Sequence, residues 1–322
     1  MLHLLLLLAC PTPSPSESQP VVEPLGPPPA VTPSEPTLRR LTTAQYENSL
    51  HDLFGEDLVL PTSLEPDTAV SGLYAVGAAQ TSLSPFGVER YEEAAYSLAG
   101  QILSPERRNL VATCSPEAPV DEGCAREIIE GVGRKTWRRP LSTEESDRLT
   151  AVAVNASTTL GDFYSGLQYG LAAILQSPYF LYRVELGSDD GTGRVAFDNF
   201  EMASRLSYFF WNTTPDEELL EAAEQGLLTT DEGLAQQVDR LMADDRSRDG
   251  VRSFFTEMLA LYLLDDLSKD PTIFLHYSPD LGPSAREETL LGIEDLVFTK
   301  DADFRQIFTT QHTFLDRKLA AV

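Results

Sequence analysis

The sequence predicts an all-α protein in which several small helical bundles follow one another along the chain. Apolar residues recur at helical spacing through most of the chain, and helix-start signals precede these runs. Strand signals are scarce, and the best of them predicts at most a minor β-hairpin near residues 182–197. The pattern therefore favours helices that pack on helices.

Capping boxes mark the starts of three predicted helices. The boxes are Thr42 with Gln45, Ser142 with Glu145, and Asp198 with Glu201. The apolar residues that follow them on one face are Tyr46, Leu50, Leu53 and Phe54, then Leu149, Val152 and Ala153, then Met202, Leu206, Phe209 and Phe210. Gly55 is expected to end the first of these helices, because glycine favours the position after a helix end.

Further helix signals follow in the second half of the chain. Thr214 is predicted to cap a helix that has Pro215 in its first position and Gly226 after its end. Thr229 is predicted to open another helix, and the strongly apolar residues 251–264 predict a buried one.

The N-terminus predicts export and a lipid anchor. Residues 4–8 are five leucines, followed by Ala9 and Cys10, and this segment resembles a bacterial lipoprotein signal with Cys10 as the lipidation site. An ordinary cysteine without lipid is the alternative. Residues 11–37 are rich in proline and serine and predict an extended, disordered tether. Pro11 after the cysteine favours an outer-membrane-anchored lipoprotein facing the periplasm or cell surface.

Composition excludes some partners. The 322 residues carry a formal charge of −26, from 24 Lys and Arg against 50 Asp and Glu. Nucleic-acid binding is not expected, because it depends on basic residues that neutralise phosphates. The acidic residues are best explained as solvated faces of many helices. The membrane is therefore predicted to be a partner through the lipid anchor rather than through surface charge.

The remaining cysteines predict a disulfide. Cys114 and Cys124 form an even pair in an exported chain, across a short polar loop. A metal site is the alternative, but no histidine lies within 60 residues of either cysteine. We predict no metal site, no cofactor and no catalytic residue from motifs in this chain.

One basic cluster stands out in this acidic chain. Arg134, Trp137, Arg138 and Arg139 form a possible patch for an anion or a sugar, because arginine and tryptophan bind such ligands by hydrogen bonds and stacking. The alternative is that these arginines pair with Asp and Glu on neighbouring helices and position the helix that starts at Ser142.

Several motifs together resemble those of a family of envelope proteins from planctomycetes and myxobacteria, which are built from serial helical domains of unknown function. The motifs lie at residues 39–55, 124–125, 133–145, 175–185, 201–220 and 313–320. The resemblance implies a first domain at 38–104, a second with the disulfide loop at 105–187, a third at 188–309, and the start of a fourth at 310–322.

The family usually ends in a c-type haem domain with a Cys-x-x-Cys-His motif, which this chain lacks. Leu315, Leu319 and Val322 also share one helical face, so the chain is expected to stop inside an amphipathic helix. Both features predict a truncated member. Haem c is accordingly expected in the missing region or in a partner rather than in this chain.

We therefore predict an envelope-anchored lipoprotein that acts as a non-catalytic helical scaffold or binding module, for an envelope protein or a polysaccharide. The alternative is the helical portion of an envelope oxidoreductase that works with a missing c-type cytochrome domain. A third hypothesis is a hydrolase that uses some of the many carboxylates, and it requires a cleft that brings two of them together. Whether the chain is an enzyme stays open at this point.

Overall fold

The computed structural model describes residues 38–80, 82–189, 191, 194–270 and 272–321. The predicted signal peptide at 1–10, with Cys10, and the predicted tether at 11–37 lie outside the described residues. Helices dominate the part that is described, so the prediction of an all-α fold is confirmed. Every described helix is too short or too polar to cross a membrane.

The first half of the described chain forms a group of helices around one core. The helices of this half are α1 (Thr43–Phe54), α2 (Tyr74–Gly77), α3 (Pro85–Ile102), α4 (Glu122–Thr136), α5 (Thr143–Leu160), α6 (Phe163–Leu175) and α7 (Pro178–Leu181), and all of them except α2 contribute residues to that core. The core includes Leu50 of α1, Leu98 of α3, Ile128 of α4 and Leu171 of α6, each almost fully buried. The predicted first and second domains therefore share a single hydrophobic core.

The second half forms two smaller groups. Its helices are α8 (Asn199–Phe210), α9 (Glu217–Glu224), α10 (Asp231–Ala243), α11 (Ser247–Met258) and α12 (Leu281–Glu294), with a π-helical segment at Asp295–Thr299. One core gathers around Trp211 and Leu241, and another around Phe255 and Leu290. Tyr208 of α8 belongs instead to the core of the first half.

Two short strand pairs accompany the helices. Strand β1 (Arg39–Arg40) pairs antiparallel with β2 (Tyr182–Arg183), and β3 (Ser188–Asp189) pairs with β4 (Val195–Ala196). The predicted minor hairpin near 182–197 is confirmed by the β3–β4 pair. We expected Tyr182 and its neighbours to pair within that hairpin. Tyr182 instead lies in β2, which pairs with β1 at the start of the described chain.

An aromatic side chain organises the second half. Trp211 is 1% exposed, and its indole nitrogen donates to the Leu241 carbonyl at 2.9 Å. The Arg246 guanidinium lies 3.5 Å from the centre of the indole, and Arg240 lies on it at 5.4 Å. Asp216 accepts two hydrogen bonds from Arg240, at 2.8 and 3.0 Å, and thereby fixes the start of α9 against α10.

The three capping boxes are present as predicted, but two later helix starts are wrong by one or two residues. Asp216, not Thr214, caps α9, because its carboxylate accepts from the Leu219 backbone while it binds Arg240. Thr230, not Thr229, caps α10 by accepting from the Gly233 backbone.

Two predicted helices also differ from the structure. Residues 251–264 do not form one buried helix: α11 ends at Met258, Ala260 adopts a left-handed φ of 52°, and Leu261–Leu264 is a 3₁₀ turn. The predicted helix through Leu315 and Leu319 is likewise not formed. The described end of the chain is mostly exposed and irregular apart from a 3₁₀ turn at Leu319–Ala321.

The predicted disulfide between Cys114 and Cys124 is present, with Cα atoms 5.7 Å apart. It ties the loop after α3 to the first turn of α4, where Cys124 is buried in the core. In the chain-entropy description, a bridge over a loop of this length stabilises the fold by roughly 3 kcal/mol.

Candidate functional site

A cleft runs between the first half of the chain and helices α8 and α11. It consists of two cavities that share Asn212, Ser253 and Glu257. We call them the apolar cavity, of about 650 Å³, and the polar cavity, of about 580 Å³, after the side chains that line them. Both volumes lie within the range of cavities that hold small molecules.

The apolar cavity is walled mainly by aromatic and thioether side chains. They include Met202, Phe209, Phe210, Met242, Phe254 and Phe298. Gly250 sets the shape of this wall, because a Cβ there would lie 2.1 Å from the Phe210 carbonyl oxygen. Helix α11 can therefore approach the end of α8 closely. The π-helical segment after α12 supplies Phe298, and such segments are frequent at functional sites.

The apolar wall is open to solvent. Phe209 is 74% exposed and Phe254 is 58% exposed, although both line the cavity. Large apolar side chains that cluster at an open cavity mark sites of interaction more often than scattered exposed residues do.

One end of the apolar cavity is cationic. The β1–β2 pairing places Arg39 directly opposite Arg183, and both line the cavity together with Arg40 and Arg205. Arg40 is neutralised by Asp67 at 2.9 Å. Arg205 is neutralised by Glu185 at 2.6 Å.

Arg39 and Arg183 lack comparable partners. Among the described residues, the structure gives the Arg39 side chain no hydrogen bond and no ion pair. The Arg183 side chain is 12% exposed, and its Nε lies 3.4 Å from Glu185 Oε1 without forming a hydrogen bond. Burial lowers the pKa of Arg183, and the Glu185 charge offsets this in part. The fold therefore holds two poorly compensated positive charges at this end.

The polar cavity gathers acidic and basic side chains between α1 and α11. Asp52 and Asp249 both line it, and Asp52 accepts a hydrogen bond of 2.7 Å from Thr213. Burial raises the pKa of Asp249, and the neighbouring Asp52 charge raises it further, against the opposing effect of Arg252. This cavity brings two carboxylates into one cleft, which is the arrangement that the hydrolase hypothesis requires.

Glu257 lies where the two cavities meet. Its carboxylate accepts from the Ala75 backbone at 3.2 Å and so links α11 to α2. Burial raises the pKa of Glu257, although hydrogen bonds from the backbone oppose the shift. Among the described residues, no group of His, Cys, Asp and Glu has an arrangement that could hold a metal ion.

The predicted basic patch lies elsewhere, and its side chains contact other residues of the protein. Arg134 pairs with Glu217 at 2.5 Å and with Glu224 at 3.2 Å, both on α9. Trp137 is buried, and its indole nitrogen donates to the Ile174 carbonyl at 3.2 Å. These contacts match the alternative in which the basic residues position neighbouring helices.

The other two arginines of the patch are also engaged. Arg138 is buried and donates to backbone carbonyls, among them Tyr179 and Tyr182 at 2.7 Å each. Arg139 forms a two-pronged ion pair with Glu145, at 2.8 and 2.9 Å, at the start of α5. The structure therefore shows structural contacts for Arg134, Trp137, Arg138 and Arg139, and brings none of them to the cleft.

Comparison with protein families separates the chain into consecutive regions. Residues 39–104 match a family model described as protein of unknown function (DUF1587). Residues 124–185 match protein of unknown function (DUF1595), and residues 197–322 match protein of unknown function (DUF1592). The chain contains three domains of unknown function in series. It matches none of the curated proteins and none of the solved structures with which it was compared.

These three domains agree with the family resemblance that the motifs indicated. The predicted haem c domain and the predicted truncation stay predictions. The match to the third domain includes residues 310–322, which we assigned to the start of a fourth domain.

The apolar cavity is a joint product of the three domains. Arg39 and Arg40 come from the first domain, Arg183 and Glu185 from the second, and Met202 and the later wall residues from the third. Our sequence reasoning missed these cavity residues as a site. The signal in the sequence was the basic character of the cavity arginines in an acidic chain. It was not enough to group them, because Arg39 and Arg183 lie more than a hundred residues apart.

The Arg139–Glu145 pair predicts a pH-dependent contribution to stability. Hydrogen bonding from Arg139 lowers the pKa of Glu145 from 4.5 to about 2. A lowered folded-state pKa means that the pair stabilises the fold above the ordinary value of 4.5, and that this contribution is lost as the pH falls toward about 2.

We expect Glu145→Gln to lower the free energy of unfolding at neutral pH by roughly 1–2 kcal/mol. The difference in the free energy of unfolding between the variant and the wild type should shrink as the pH falls below 4.5, as measured by urea unfolding at several pH values. Glu144→Gln is the matched control, because Glu144 is exposed and should change stability by a few tenths of a kcal/mol. A gap that persists unchanged at low pH would contradict the account.

Proposed function

We propose that this chain is a non-catalytic ligand-binding module of the cell envelope, held there by a lipid on Cys10. The observation that carries the binding function is the apolar cavity of about 650 Å³, which all three domains line. A cavity of this size with a few convergent polar groups is typical of small-molecule sites. Under this proposal the three domains bind the ligand as a unit, because each supplies part of the cavity lining.

The lipid anchor and the tether complete this proposal. The leucines before Cys10 and the proline-rich residues 11–37 support it, because such a tether would hold the cleft away from the membrane surface. The lipid would insert into the outer membrane, with the module in the periplasm or at the cell surface. A protein or polysaccharide partner, and the use of carboxylates in the polar cavity for hydrolysis, stay predictions.

The alternative, an oxidoreductase that works with a c-type cytochrome domain, also stays a prediction. No observation on the described residues favours it over ligand binding. The proposed function concerns the three helical domains themselves, and it holds with or without further sequence beyond them.

We expect Cys10 to carry the lipid. Metabolic labelling with an alkyne fatty acid should label the wild type and leave Cys10→Ser unlabelled and in the soluble fraction, because Cys10 supplies the acylated atom. The double variant Cys114→Ser/Cys124→Ser is the control, since its cysteines form the disulfide and should not affect the label. A labelled Cys10→Ser protein would contradict the anchor.

We expect the apolar cavity to bind the neutral fluorescent probe N-phenyl-1-naphthylamine saturably. Phe209→Ser should weaken this binding about fivefold, because the probe loses part of an apolar wall. The variant should fold normally, since Phe209 is 74% exposed. Phe304→Ser is the matched control, because Phe304 is 49% exposed and does not line the cavity. Non-saturable binding, or equal losses in both variants, would contradict the proposal.

A further inference from the structure

The apolar cavity differs in charge from the rest of the protein. Its charged lining comprises four arginines and two glutamates, whereas the whole chain has 24 basic and 50 acidic residues. A positive end in a chain of charge −26 is not explained by overall composition. The contrast points to a ligand with a negative group.

The poorly compensated charges at this end define where that group would lie. Ion pairs with Asp67 and Glu185 account for Arg40 and Arg205. Arg39 has no ion pair among the described residues, and Arg183 shares Glu185 with Arg205. Arg39 and Arg183 lie opposite each other across the β1–β2 pair. Two like charges directly opposite each other destabilise a strand pair, so an anion between them would relieve a cost that the free protein carries.

Glu185 does not block such an anion. Its side chain is 3% exposed, and Oε2 is held by Arg205 at 2.6 Å. Its other oxygen, Oε1, makes no hydrogen bond, and the same holds for Nε of Arg183. The buried Nε–H of Arg183 is therefore an unsatisfied donor. Such a group is unusual and is expected where an acceptor, such as a ligand carboxylate, would bind.

The remainder of the cavity fits an apolar chain. Phe209, Phe210, Met242, Phe254 and Phe298 continue from the cationic end without a comparable basic group among them. Methionine and phenylalanine walls adapt to flexible hydrocarbon, and Phe209 and Phe254 are exposed in the free protein.

We propose that the apolar cavity binds a single-chain amphiphile with a carboxylate head, whose head lies against Arg39 and Arg183 and whose chain lies along the phenylalanine and methionine wall. This inference rests on the proposed binding function, and it adds the chemical class of the ligand. The carboxylate accepts hydrogen bonds from the two guanidinium groups, for which arginine geometry is well suited.

The test compares ligands that share a chain and differ in the head. Decanoate, decanol and decylammonium are titrated calorimetrically into the full-length protein, below the concentrations at which they form micelles. We expect decanoate to bind with one-to-one stoichiometry and decanol to bind at least about tenfold more weakly, because it lacks the charge-assisted hydrogen bonds. Decylammonium should bind more weakly still. Octanoate should bind roughly fifteenfold more weakly than decanoate, since each buried methylene contributes about a factor of four.

Variants test whether the head group of the ligand lies against Arg39. Arg39→Gln should weaken decanoate binding about tenfold and leave decanol binding unchanged. Arg148→Gln is the matched control, because it removes the same charge from an exposed position outside the cavity and should change neither affinity. Equal losses for decanoate and decanol in Arg39→Gln would overturn the assignment of the head.

The outcomes separate this inference from the proposed function. If decanol binds the wild type as tightly as decanoate, the assignment of a carboxylate head is overturned. If octanoate binds as tightly as decanoate, the assignment of the apolar wall to the ligand chain is overturned. Either result would leave saturable binding of the neutral probe intact. If neither the amphiphiles nor the probe bind, the proposed function fails together with the inference.

Discussion

The pairing of strand β1 with strand β2 is a short contact on which much of the cleft depends. It joins the first residues of the first domain to the last residues of the second. The same pairing sets Arg39 opposite Arg183, where like charges repel. The shared hydrophobic core beneath the strands holds this arrangement in place, because helices from both domains bury their apolar faces in it. The cationic end of the cavity is thus a consequence of how two domains meet.

The third domain supplies the segment that connects the core of the first half to that of the second half. Tyr208 of α8 enters the core of the first half, and its hydroxyl lies 3.0 Å from the hydroxyl of Ser49 on α1. Trp211 follows three residues later and organises the second half through Arg246 and Asp216. Two nearby residues of one segment, Tyr208 and Trp211, therefore anchor both halves. The wall of the apolar cavity lies beside this segment, so its position relative to the arginines is fixed by core packing rather than by surface contacts.

The fold could be predicted further from the sequence than the site could. Helix periodicity and capping boxes are local signals, and they predicted the fold class and the starts of α1, α5 and α8 correctly. The predicted helix starts were wrong where a tertiary contact decides the capping residue. The N-cap of α9 is Asp216 rather than the predicted Thr214, and Asp216 also binds Arg240. The basic run at Arg134 was conspicuous in the sequence, but its charges pair within the fold. Arg39 and Arg183 were inconspicuous, because their proximity depends on a long-range strand pair that no local pattern encodes.

The central claim is that Arg39 is held against Arg183 for a ligand and not for the stability of the fold. Measuring the free energy of unfolding of Arg39→Gln and of the wild type, each with and without decanoate, tests it most directly. The account predicts that the ligand-free variant is at least as stable as the wild type, and that decanoate stabilises the wild type more than the variant. A ligand-free variant that is less stable than the wild type by more than about 1 kcal/mol would contradict the claim, since Arg39 would then be a structural residue.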